Sequence, residues 1–165
     1  MRHRYSQCAF LALVLCAAPA RGEDFETRLA PSPVTEGTRG NIMGEGHATA
    51  TLDGNRLTVR GTFEGLASNA TRAALYDGIR IGAMGPKIMD ITVTPGTNGK
   101  VSGAVTLTAR QANAVRSGRV YIQVDSQKAP EGNLTGWLLP PHPFAGEAVP
   151  VAGHGFLPQL DVPQR

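Results

Sequence analysis

The chain is short of the residues that carry thiol, redox and aromatic chemistry. It has two cysteines in 165 residues, Cys8 and Cys16, and nine aromatics, of which one is tryptophan. No block of like charge occurs. The one long apolar run, Cys8 to Ala18, falls well short of the ~20 residues a membrane-crossing helix needs.

That run explains the missing cysteines. "MRHRYSQCAFLALVLCAAPARG" has a basic start, an apolar middle and small residues before a cut, the layout of a secretory signal peptide. Cleavage is expected after Ala20 or Gly22; a lipoprotein site at Cys16 is disfavoured by the large Leu15 before it. With residues 1–22 removed, both cysteines go. Disulfides, thiolate nucleophiles and cysteine metal sites then drop out. Three arginines and no acids leave too, so 13 Lys and Arg face 13 Asp and Glu, a net charge near zero. Such a chain has no long-range field to draw in phosphate backbones or anionic membranes, and nucleic acid is not an expected partner. The expectation is a periplasmic or secreted protein with no membrane span after signal removal.

What the chain does have is glycine (20), proline (12) and a period of two. In "HATATLDGNRLTVRGTF", Ala48, Ala50 and Leu52 alternate with threonines. Asp53-Gly54 turns the chain, and Leu57, Val59, Gly61 and Phe63 alternate with Arg and Thr. This is a half-buried antiparallel hairpin. "MDITVT" and "VSGAVTLT" flank the turn "PGTNGK"; "FETRLA", "RAALY", "RVYIQVDS" and "NLTGWLL" bring the count to about eight strands. Thr108 and Gln111 have capping-box spacing before one short helix, with Ala112 and Val115 on its buried face and Gly118 at its end. The fold expected is an all-β antiparallel Greek-key sandwich, immunoglobulin-like, over residues 23–139.

From 140 to 165 six prolines interrupt any periodic pattern, yet Phe144, Phe156 and Leu157 make the segment too apolar for a solvated tail. It reads as an arm that wraps over the domain or docks on a partner. Trp137 is expected to point outward from the last strand and to be covered by that arm or to anchor an interface.

The "GEGHATATLDGNRLTVRGTFEGL" hairpin, the "GAMGP" loop, "VSGAVTLTARQANAVRSGRVYIQV" and the closing "APEGNLTGWL" together resemble the chordin-domain (CHRD) family, in family order from about Phe25 to Leu139. The resemblance implies an extracellular β-sandwich module with no general enzymatic activity. The chain departs from the family at its histidine motifs: Leu75 and Asp77, and Asp125, stand where histidines are expected. Gly132 to Gly136 ("GNLTG") lacks the acid and base of the family's version. The family's polar groups therefore cannot be carried over to this chain.

The reading that follows is an exported, non-enzymatic binding module with no cofactor, an accessory to another exported protein, with Trp137, Phe144, Phe156 and Leu157 as contact residues. The alternative is a metal-binding protein or metal-dependent enzyme on a superoxide-dismutase-like sandwich. Its weak candidate ligands are His47, Asp77, Asp125, His142 and His154, three scattered imidazoles and two carboxylates that would have to converge on one ion. Asp77 and Asp125 are expected near each other, both solvated.

Overall fold

The computed structural model describes residues 22–141. These form eight strands, β1 (Glu23–Pro31), β2 (Glu45–Asp53), β3 (Arg56–Glu64), β4 (Ala70–Asp77), β5 (Lys87–Val93), β6 (Gly99–Thr106), β7 (Val120–Ser126) and β8 (Ala129–Trp137). One helix, α1 (Ala109–Arg116), joins β6 to β7. All pairings are antiparallel.

The strands close into a barrel in the order β1-β2-β3-β6-β5-β4-β7-β8, and not into the two-sheet immunoglobulin-like sandwich expected from the sequence. The reason lies in β1 and β5, which each hand over from one partner to another partway along. β1 pairs with β2 from Glu23 to Leu29 and then with β8 at Ala30 and Pro31. β5 pairs with β4 up to Ile91 and with β6 at Thr92 and Val93. Each handover closes a seam that a sandwich would leave as an edge.

The barrel interior is one apolar cluster in which Phe25, Leu29, Leu52, Leu57, Val59, Phe63, Val101, Val120, Ile122, Leu134 and Leu138 are all buried. Leu52, Leu57, Val59 and Phe63 are the apolar face expected of the hairpin. The outward positions of β2 and β3 are all polar (Thr, Arg, Glu, Asp and His), so the apolar side faces in, the reverse of a lipid-facing barrel. Among the described residues no helix is long and apolar enough to cross a membrane.

Three local features refine the expected elements. The hairpin turn falls one residue later than the Asp-Gly pair suggests: Asp53 pairs with Arg56, and Gly54-Asn55 make the two-residue loop. Gly54 takes φ +58°, the conformation a tight primed turn requires. The helix carries the full capping box, with the Gln111 N–H donating to Thr108 Oγ1 and the Thr108 N–H donating to Gln111 Oε1. Ala112, Ala114 and Val115 pack against the barrel, and Gly118 at φ +66° ends the helix. Finally, β7 is buried on both faces, not one. Its outer residues Tyr121, Gln123 and Asp125 lie under other groups that also shape the candidate site.

Candidate functional site

The outer face of β4, β7 and β8 carries a rung of three aromatics. Tyr76 sits opposite Tyr121, and Tyr121 opposite Trp137. The Tyr76 and Tyr121 rings stack at 5.1 Å between centroids, and Tyr121 meets Trp137 at 4.6 Å with a 45° tilt. Cross-strand aromatic pairs of this kind stabilise a sheet beyond their buried area. Burial raises the Tyr121 phenol above its ordinary value, the Gly85 N–H partly opposing this.

Trp137 points outward, as expected, and is half-buried; the arm expected to cover it lies outside the described residues from 142 onward. Part of its cover comes from the loop between β4 and β5, residues 78–86. The backbone at Gly78 lies so close that a Cβ there would come within 2.6 Å of the indole ring. The ends of the loop are tied together. Asp77 N–H donates to the Pro86 carbonyl at 2.9 Å, and Gly78 N–H donates to that of Arg119 at 2.9 Å. A Cβ at Gly85 would land on the carbonyl oxygen of Asp77, so only glycine permits this closure.

On its other side Trp137 borders a groove of about 570 Å3 between β1 and β8. The two strands are anchored at each end of this stretch, by the Glu26–Leu139 bridge and by the Ala30–Thr135 pair, with no ladder pairing between. Trp137, Leu139 and Pro140 give the apolar wall; Glu26, Arg28, Thr135 and His47 give the polar groups. The size and the mix suit a binding groove. The chain leaves the described region here, at Pro140 and Pro141.

The two aspartates do not come together. Asp77 is opposite Val120 and Asp125 is opposite Arg72, at the two ends of the β4–β7 ladder. Five residues along a strand put them about 16 Å apart. Neither is solvated, since their side chains are only 7% and 4% exposed. Asp125 accepts from Arg72 at 2.6 Å and from Gln123 Nε2 at 2.8 Å. This bond and charge pairing raise the Arg72 guanidinium above its ordinary value. Asp77 is worse served: Arg119 and Arg110 face it at 3.6 and 3.8 Å, and its Oδ1 has no hydrogen-bond partner among the described residues.

His47 is exposed on the outer face of β2, opposite Arg28. His142 and His154 lie outside the described residues, as do Phe144, Phe156 and Leu157. Among the described residues no three His, Cys, Asp or Glu side chains are grouped to hold a metal ion. Asn133, which heads the glycosylation-type triplet Asn133-Leu134-Thr135, is fully buried and donates to the Met43 carbonyl, leaving no room for a glycan.

The sequence reading missed the tyrosine rung and the groove. The rung was signalled by Tyr76, Tyr121 and Trp137, but their pairing depends on register across non-adjacent strands. The groove depends on barrel closure.

No curated protein and no solved structure gave a significant match. The family model for the CHRD domain matches residues 25–138, which spans β1 to the end of β8. On that match, over more than half its length, the chain belongs to the CHRD domain family, whose members are generally extracellular.

Proposed function

We propose that this protein is an exported, non-enzymatic binding module that serves as an accessory to another exported protein. The observation that carries the proposal is the β1–β8 groove, where a half-buried tryptophan meets Arg28, Glu26 and His47. Indole and guanidinium groups are the side chains that most often anchor protein contacts, and a groove that presents both has the composition of a contact centre. The two buried aspartates support the same reading. Each is tied to arginines and kept from solvent, so neither has the exposure that acid–base work on a substrate calls for.

The partner is another protein of the periplasm or the medium, met through this groove. The test is capture from an exported-protein extract by the wild type and by Arg28→Glu and His47→Asp variants, with light scattering to give the mass of each complex. Both positions are exposed strand sites, so the variants keep the fold. Loss of one defined partner in both variants supports the proposal; a monomer that retains no partner in any form overturns it.

A further inference from the structure

Residues 78–86 leave the barrel as a loop with an apolar tip. Ile79 is 74% exposed, Ile81 55% and Met84 50%, three of the five large apolar side chains most open to solvent among the described residues. The tip is a tight turn, with Ala83 N–H donating to the Arg80 carbonyl at 3.0 Å and Gly82 at φ +82°. Together with the Asp77–Pro86 closure, this holds the three side chains out on a rigid base, so little further ordering is needed on contact.

The loop, and the segment from Leu107 to Val124 that it meets, carry basic residues and no acids of their own. From Gly78 to Met89 and from Leu107 to Val124 there is no acidic residue, while Arg80, Lys87, Arg110, Arg116 and Arg119 are present. The two segments meet: Gly78 donates to the Arg119 carbonyl, and Ile81 lies 3.4 Å from where a Gly118 Cβ would stand. The one acid at the loop's root, Asp77, is buried. Lys87 is paired with Asp90 and Arg116 with Glu23. Arg110 and Arg119 both face the single buried Asp77, with Arg110 80% exposed, and Arg80 has no acidic partner among the described residues.

We infer that this loop docks the protein on an anionic lipid surface, with Ile79, Ile81 and Met84 entering the headgroup–acyl boundary and the exposed Arg80 and Arg110 meeting lipid phosphates. Apolar side chains on a projecting tip inside a basic collar match an anionic bilayer in both charge and polarity. Arg80, set between two isoleucines, can bury its stem and keep its guanidinium at the headgroups. A second copy is a poor occupant, because two such loops would bring like charges together. The inference does not rest on the groove as a protein contact.

Vesicle sedimentation tests it, using purified wild type and variants that share the same N-terminus. The probes are phosphatidylcholine vesicles with and without phosphatidylglycerol. The wild type is expected to bind the anionic vesicles more tightly. Ile81→Asp should weaken that binding about tenfold or more, since burial of one such side chain is worth ~1.5–3 kcal/mol. Arg80→Gln and Arg110→Gln should each weaken it about fivefold, from ~1 kcal/mol per basic residue at an anionic surface. Ile81 is 55% exposed and Arg80 has no acidic partner among the described residues, so those two variants leave the melting temperature unchanged. Arg28→Glu, in the groove, should leave vesicle binding as it is. Equal binding to both vesicle types, or no loss in Ile81→Asp, overturns the inference. So does an Ile81→Asp variant that loses a protein partner while vesicle binding persists.

Discussion

Two buried aspartates on one strand pair show how differently a fold can treat the same residue. Asp125 accepts short bonds from Arg72 and Gln123, whereas Asp77 is faced by arginines beyond hydrogen-bonding distance and keeps one oxygen unpartnered. Replacing Asp125 by Ala takes the short acceptor from the buried Gln123 amide, while the half-exposed Arg72 guanidinium can turn to water, and should cost about 1–3 kcal/mol. Replacing Asp77 by Leu removes a carboxylate whose desolvation is poorly repaid, and should change stability by less than about 1 kcal/mol. Urea melts of the two variants check the contrast; equal losses would mean that Asp77 is as well satisfied as Asp125. Tyr121 gives a pH dependence of determined sign. Its phenol is raised in the folded state by burial, so the unfolded chain ionises first as pH climbs past about 10. Between that pH and the folded value the native state binds more protons, and stability falls with rising pH. Tyr121→Phe should remove this part of the alkaline loss, read as the difference between wild-type and variant melts across that range.

At the scale of elements, most of the fold was legible because it is written in local chemistry. Alternation in Ala48–Leu52 and Leu57–Phe63 fixes strand and face together, since a one-residue slip would expose every apolar side chain. The helix announces both ends, through Thr108 with Gln111 and through Gly118. What the sequence hides is what lies over an outer face. The alternation in β7 marks Val120, Ile122 and Val124 as inward, and they are. It cannot mark Tyr121, Gln123 and Asp125 as buried too, because their cover comes from Tyr76, Trp137 and Arg72 on neighbouring strands. The same limit governs the aspartates. Sequence places Asp77 in a turn and Asp125 at a strand end, whereas both lie within strands, and their separation follows from antiparallel register, which sets them at opposite ends of one ladder. The 78–86 loop is a mixed case. Its glycines announce a turn, while the reason for Gly85, its contact with the Asp77 carbonyl, exists only once the loop has closed.

For the whole molecule, the question is what separates a closed barrel from a two-layer sandwich built of the same eight strands. Inward and outward positions are the same in both, so alternation cannot decide. The decision falls to two short seams. β2 and β3 share nine register pairs, whereas β5 and β6 share two, and β1 and β8 share two plus the Glu26–Leu139 bridge. Closure therefore depends on few hydrogen bonds and on the apolar cluster that both halves bury, which includes Leu29 and Ile91 beside the handover points. Regions held by few backbone bonds open first, at a free energy below that of global unfolding. Native-state hydrogen exchange should show the amides of Ala30, Thr92 and Val93 exchanging before those of Ala48 to Leu52. The β1–β8 seam is also the wall of the groove, so occupancy of the groove should slow exchange there more than at β5–β6. If the seams prove as protected as the β2–β3 hairpin, the barrel opens only as a unit, and closure is as cooperative as the ladders on either side of it.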